Sequence, residues 1–318
     1  MSQDWRHSVL DPAGPQADRI DALWWFLFAV SVIVFVLVVG AMFAALVRSH
    51  RRNVVTADSA TDRRMTRVVA GAVGATAVIL LVFLAFSVRT GRAIGTLPAG
   101  DVLTIELTGR QWWWEAEYVD TNPSLRFTTA NEIHVPVGRA VQFDLVARDV
   151  IHSFWVPSLH GKKDMIPGQR SRTWFRADTA GVYRGQCAEF CGYQHAKMGL
   201  LIIAEPEEQF AAWYASQLRP AVPPRDSLTR RGQQVFLGAT CAMCHTINGT
   251  NAASRVGPPL THFGSQRTIA AATLPNTRGH LAGWILDPQR IKPGVRMPPN
   301  QLSADDLQAL LAYLESLK

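Results

Sequence analysis

The 318-residue chain has four cysteines, at 187, 191, 241 and 244, and a histidine follows each pair within a few residues. The first pair lies in Cys187-Ala-Glu189-Phe-Cys191-Gly-Tyr-Gln-His195-Ala-Lys-Met198, so two thiols, an imidazole and a thioether fall within twelve residues. Soft sulfur and imidazole donors in one loop suit copper, with zinc as the competing metal. Most zinc folds pair C-x2-C with H-x3-H knuckles, which this spacing does not match. The pair alone favours a disulfide in an oxidising compartment; His195 and Met198 tip the reading towards a metal. The second pair, Cys241-Ala-Met-Cys244-His245, is the C-x-x-C-H signature of covalent haem attachment. Two thioethers would fix the haem edge, and His245 would bind iron from one side. A thioredoxin-type C-x-x-C needs a preceding strand and a βαβ context, and the sequence offers neither.

The other axial ligand must come from further along. Met297, in Arg296-Met297-Pro298-Pro299, precedes a last helix, and a His/Met pair raises the potential of an electron-transfer haem. His262 and His280 are rivals for a bis-histidine site. Met243 is too close to His245 to reach the opposite face. Two disulfides among four cysteines would allow three pairings, but none accounts for the neighbouring histidines and methionines. No nucleophile–base pair and no open catalytic metal position stands out, so the chain reads as an electron conduit.

These clusters must be positioned by three kinds of structure. Residues 22–47 and 68–88 carry no charge, and each run is long enough for a bilayer of about 30 Å at 1.5 Å per residue. They read as a transmembrane hairpin, with Trp24 and Trp25 at an interface. The first run is too long, and too acidic upstream, for a signal peptide. Residues 48–67 hold six arginines against two aspartates, and a short arginine-rich loop stays cytoplasmic. The tail 1–21 and everything after the hairpin are then extracytoplasmic, in a bacterial plasma membrane. Residues 95–218 alternate as short strands, at Val102–Leu107, Glu132–Val137, Ala140–Leu145, Thr173–Arg176, Val182–Gly185 and Gly199–Ala204, with a turn at Gly138-Arg139. A helix from Glu205 to Leu218 presents Phe210, Trp213 and Tyr214 on one face. The proline-rich stretch 219–225 is a semi-rigid spacer. In 226–318 helices are expected from Ser227 and after Ser303, which caps a stripe of Leu307, Leu310, Leu311 and Leu314 packing near Val235 and Phe236.

Four motifs together resemble the binuclear copper (CuA) subunit of cytochrome c oxidase, subunit II. They are Gly109-Arg-Gln-Trp112-Trp113-Trp114-Glu115, the run Asp149-Val-Ile-His152-Ser-Phe-Trp-Val-Pro-Ser, K-x-D-x-I-P-G from Lys162 to Gly168, and G-Q-C-x-E-x-C-G-x-x-H-x-x-M from Gly185 to Met198. The membrane hairpin matches too, so the likeness covers residues 20–218. Residues 226–318 are similar to a class I cytochrome c, including Gly257-Pro-Pro-Leu260. The resemblance implies a membrane-anchored multidomain chain: a two-helix hairpin, a cupredoxin-like Greek-key β-barrel and an all-α cytochrome c domain, as in caa3-type haem–copper oxidases. It implies two coppers bridged by Cys187 and Cys191, with His152 and His195 binding one each, and Met198 and the Glu189 carbonyl as weak axial ligands. The Glu189 carboxylate would face a magnesium or manganese at the boundary with subunit I. Trp112 matches the family's exposed electron-entry tryptophan, and strand alternation sets Trp112 and Trp114 on one face and Trp113 on the other. His134 and His160 match no ligand position and are expected at the surface or an interface.

The resemblance implies a cytochrome-c oxidase subunit of the respiratory chain, a proton-translocating machine. A donor (cytochrome c or a cytochrome bc1 complex) would reduce the haem held by Cys241, Cys244, His245 and Met297. Oxygen chemistry would lie in subunit I, with its haem a-type and CuB centre, beside other subunits and membrane lipid. A CuA-type nitric oxide reductase would use the same conduit. A copper chaperone or thiol oxidoreductase would have one span and no haem motif; a quinol oxidase subunit II would lack the copper ligands. Charge fits this division. The net +7 is −2 in the tail, +4 in the loop, zero over residues 89–224 and +5 over residues 225–318. None of it requires nucleic acid, and a basic cytochrome suits acidic docking surfaces.

Overall fold

The structure, a computed structural model, describes residues 5–49, 59–98 and 100–318. It divides into two compact units, Asp18–Thr96 and the remainder. The first unit is a helical hairpin of α1 (Pro15–Ser49) and α2 (Ser59–Gly95). The Arg19 guanidinium donates to the Ala93 carbonyl at 2.6 Å, and Phe26 packs on Phe83 and Phe86 at ring separations of 5.6 and 4.9 Å. Both helices are long and apolar enough to cross a membrane. They also run past the apolar spans 22–47 and 68–88. Arg48 lies in the last turn of α1, and Arg63, Arg64 and Arg67 lie within α2 rather than in a loop. Backbone i→i−4 bonding does not end where side-chain charge begins. The rest of the expected loop, with Arg51, Arg52 and Asp58, lies outside the described residues.

In the second unit, ten strands form two five-stranded sheets. One contains β1 (Val102–Arg110), β2 (Trp113–Val119), β3 (Phe127–Ala130), β5 (Ala140–Ala147) and β8 (Ser171–Phe175), in the order β3-β2-β1-β5-β8. The other contains β4 (Glu132–Pro136), β6 (His152–Trp155), β7 (Lys163–Met165), β9 (Gly181–Cys187) and β10 (Gly199–Glu205), in the order β4-β10-β9-β6-β7. The pairs β1–β5 and β4–β10 are parallel, and the remaining pairs are antiparallel. This is the cupredoxin-like arrangement that the motifs imply. Gly138, at φ +78, turns the chain from β4 into β5, but the two strands enter different sheets and form no hairpin. Inward residues alternate along β2 and most of β5, and Ile105, Leu107, Trp114, Tyr118, Phe143, Phe154 and Phe175 are fully buried. A helix, α3 (Glu207–Gln217), closes one end with Phe210, Trp213 and Tyr214 packed against this core. The tail before α1 belongs to the same unit. Arg6 N–H donates to the Val182 carbonyl at 2.9 Å, and Ala13 N–H to the Ser158 carbonyl at 2.7 Å.

Residues after the proline-rich stretch form a helical module. Its α4 (Ser227–Gly238) starts at a reciprocal Asp226–Thr229 cap; α5 (Arg278–Leu286) and a short α6 (Pro288–Ile291) follow. The last helix, α7 (Ala304–Ser316), is capped by Ser303, whose hydroxyl accepts from Asp306 N–H at 3.1 Å. Leu310, Leu311 and Leu314 are buried and Leu307 is half-buried, with Phe236 of α4 against Tyr313 at 6.2 Å between rings.

Candidate metal centre and haem site

Cys187 ends β9, and Cys191, His195 and Met198 follow in the loop before β10. His152 opens β6 rather than ending a strand. The pairing of β6 with β9 sets Phe154 opposite Cys187, which brings His152 beside the loop. The Cys187 sulfur lies 3.8 Å from His152 Nδ1 and 3.2 Å from the Glu189 carbonyl. The Cys191 sulfur lies 3.6 Å from His195 Nδ1 and 3.8 Å from Met198 Sδ. Ligand atoms of His152, Cys187 and Cys191 all lie within 4.8 Å of one another, and all three residues are buried. Both thiols are free, so the disulfide alternative is not formed.

The electrostatics prepare a sulfur ligand at Cys187. The Cys191 thiol hydrogen-bonds the Cys187 sulfur and holds it as a thiolate against the opposing effect of burial, down to about 4. The shared proton drives Cys191 in the opposite direction. Burial acts to lower His152, but Asp149 and Cys187 outweigh it and hold the imidazole above its ordinary value. Asp149 Oδ1 bonds His152 Nε2 at 2.8 Å, and Oδ2 accepts Gln111 N–H at 2.7 Å. This carboxylate fixes the ring so that Nδ1 faces the sulfurs. Gly109 lets the ring fit, because a Cβ there would lie 2.9 Å from His152 Cδ2.

A cavity of about 510 Å³ lies beside this centre. Cys241, Cys244, His245 and Met297 line it, and so do Trp112 and Trp113 of the β-domain. His245 Nδ1 lies 2.7 Å from the Pro258 carbonyl, so its N–H points there and Nε2 keeps its lone pair. Burial pushes His245 below its ordinary value and keeps it neutral, as an iron ligand must be. Gly257 packs on that ring, where a Cβ would lie 2.7 Å from Cε1. The Met297 loop is pinned from α6: Gln289 Nε2 donates to the Val295 and Met297 carbonyls at 2.8 and 2.9 Å. Neither His262 nor His280 lines the cavity; His262 pairs with the Arg219 carbonyl, and His280 is exposed beside Thr277. The paired thiols, the neutral imidazole and the apolar cavity therefore fit a covalent haem, and the five-residue sulfur and imidazole set fits copper.

Two expectations change, those for Trp112 and His160, while His134 keeps an interface position. Trp112 is only 7% exposed, because the helical module lies over it and Gly294 packs on its ring. Its indole Nε1 donates to the Cys191 carbonyl at 2.8 Å. His160 is buried between Phe154 and Phe175 rather than at a surface; desolvation pushes its imidazole down to about 4. His134 is half-buried, stacked on Trp213 at 4.1 Å, with Nδ1 2.9 Å from Glu205. Sequence reasoning missed Asp149 as an orienting group, although it stands in the quoted motif. It also missed Glu132 and Lys292, two buried charges between the β-domain and the helical module, for which the sequence carries no local signal.

Comparisons with known proteins agree with this architecture. The family described as "Cytochrome C oxidase subunit II, periplasmic domain" matches residues 122–205, and "Cytochrome c" matches residues 229–318. The chain is 37% identical to cytochrome c oxidase subunit 2 of Alkalihalophilus pseudofirmus, over 98% of this chain and 91% of the relative. It is 32% identical to the subunit of Bacillus sp. PS3, over 69% of this chain and 63% of the relative. The solved periplasmic domain of subunit II of cytochrome oxidase from Bradyrhizobium japonicum is 34% identical, over 38% of this chain and 96% of that one, with a TM-score of 0.36. With two apolar helices, a copper-binding β-domain and a haem-binding helical module in one chain, the protein belongs to the cytochrome c oxidase subunit II family and carries a fused cytochrome c domain.

Proposed function

We propose that this subunit is the electron-entry arm of a caa3-type, proton-pumping oxidase, with its haem as entry point and a two-copper CuA centre as exit towards subunit I. Haem on Cys241, Cys244, His245 and Met297, and copper on His152, Cys187, Cys191, His195, Met198 and the Glu189 carbonyl, supply one-electron carriers when bound. The observation that carries the reading is Trp112: it lines the haem cavity with one face and hydrogen-bonds the copper loop through its indole. The protein's own residues hold both sites rigid. Asp149 sets His152, Pro258 sets His245, and Gln289 holds the Met297 loop. The Glu189 carboxylate is the ligand we assign to magnesium or manganese at the subunit I boundary. An external cytochrome c or cytochrome bc1 complex is the donor, and the +5 charge of residues 225–318 favours an acidic docking face.

The hairpin lies in the bilayer with both ends extracytoplasmic. Two features support that orientation: the arginines flanking the turn, and the bonding of the N-terminal tail to the β-domain, which puts both in one compartment. Metal and haem analysis of the purified full-length chain tests the assignment. Two coppers and one covalent haem per chain are expected; one copper, or zinc in its place, would overturn it.

A further inference from the structure

One of the fastenings of the helical module to the β-domain is the short segment Ile291–Gly294. The Ile291 carbonyl accepts from Lys197 Nζ, and the Pro293 carbonyl from Gln194 Nε2 at 2.7 Å. Both donors sit in the loop between Cys191 and Met198. Gly294 packs on the Trp112 ring, where a Cβ would lie 3.6 Å from Cη2. Between them, Lys292 is 2% exposed. Its Nζ donates to the Trp112 carbonyl at 2.9 Å and to the Ala270 carbonyl at 3.1 Å, one acceptor in each module. Among the described residues no carboxylate pairs with it, and burial pushes the amine down to about 7.

Lysines are almost never buried unless paired, because desolvating the charge is expensive. The backbone beside Lys292 in the same module is unusual too. Ala270, Ala271 and Ala272 all have left-handed φ, at 55, 59 and 54°, a conformation that disfavours a Cβ. Two carbonyls of that turn reach the β-domain, Ala271 taking Gly199 N–H at 3.1 Å and Ala272 taking Arg184 Nη1 at 2.9 Å, while Ala270 takes Lys292 of its own module. Glu132 completes the clamp from the β-domain, accepting from Thr268 N–H at 2.7 Å and Arg267 N–H at 3.0 Å. A strained turn and an unpaired buried amine at one contact are costs that a merely tethered module would not carry.

We propose that Lys292 is the latch that holds the cytochrome module docked on Trp112, a positioning residue that makes haem-to-copper electron transfer a fixed-geometry event rather than an encounter of tethered domains. A flexible tether would only raise the effective concentration of one module at the other; the latch fixes distance and orientation. It also connects the Met297 loop, three residues beyond Gly294, to the copper-ligand loop. The proposal rests on the electron path given above.

The test uses the complete oxidase with wild-type subunit, Lys292→Met and Lys292→Gln. Haem absorption and copper EPR report whether each centre is intact and so judge the electron path itself. Amide exchange across residues 111–114 and 291–295, and haem-to-copper transfer after photoreduction of the haem at several viscosities, judge the latch. Wild-type transfer should not depend on viscosity. Lys292→Met, with both spectra unchanged, should slow transfer about tenfold or more, make it viscosity-dependent and open both segments to exchange. Lys292→Gln, which keeps two N–H donors, should fall between. Wild-type exchange and kinetics in Lys292→Met would overturn the latch. So would viscosity-dependent transfer in the wild type, which decides the matter even if Lys292→Met does not fold.

Discussion

The indole N–H of Trp112 bonds the backbone carbonyl of Cys191 at 2.8 Å, so a wall of the haem cavity is hydrogen-bonded to a residue of the copper loop. The neighbouring Gln111 Nε2 donates to the same carbonyl at 2.7 Å. Two donors on one carbonyl tie Gln111 and Trp112 to the copper loop. Trp112→Phe keeps most of the ring and removes the N–H. Haem-to-copper transfer should slow about tenfold, while haem absorption and copper content stay at wild-type levels. Photoreduction kinetics check this, and an unchanged rate would remove Trp112 from the path.

Asp149 acts on copper through His152. Asp149→Asn preserves shape but replaces an acceptor-only group with an amide, so the His152 ring loses its fixed orientation. Copper affinity should fall about 10- to 100-fold, as measured by competition with a chelator of known strength. Haem incorporation should not change.

Met297 is the proposed sulfur ligand to haem iron. Met297→His should lower the haem potential, because a His/Met pair sits higher than a bis-histidine pair, and should leave the copper EPR signal as it was. Redox titration of the purified subunit reads both. A potential that does not move would exclude Met297 as the ligand.

His160 gives the β-domain a pH dependence. Its imidazole is held neutral down to about 4 in the fold, against about 6.5 when exposed. Between those values the unfolded chain binds the extra proton, so stability rises with pH there. The contribution is complete above about pH 6.5 and is lost as pH falls towards 4, by about 3 kcal/mol at most. His160→Phe, which keeps a ring between Phe154 and Phe175, should flatten the thermal-stability profile over that window. A profile as steep as wild type would place the titrating group elsewhere.

The cofactor clusters were legible because their chemistry is local. Cys187 to Met198 and Cys241 to His245 carry their ligands within a few residues, and Ser303 with Asp306 announces α7 in the same way. The spans 22–47 and 68–88 could be read from charge, but their helices could not be bounded, since helical bonding continues through Arg48 and Arg67. Strands β3, β6 and β7 were missed because runs of three or four residues are too short for an alternation to stand out. The contact between the modules was invisible: Lys292 meets Trp112 from 180 residues away and Glu132 meets Thr268 from 136, and only the folded chain brings them together. The covering of Trp112 follows from the same cause, since a pattern shared with subunits lacking a fused cytochrome says nothing about what packs on it.

Cys187 and Cys191 are the residues that would hold two coppers together. EPR of the copper-loaded, full-length subunit, with copper counted on the same sample, tests that role most directly. Two coppers per chain are expected, with one unpaired electron shared equally over both nuclei and lost in Cys191→Ser. A signal from a single copper nucleus, or a full copper count with no shared-electron signal, would contradict it.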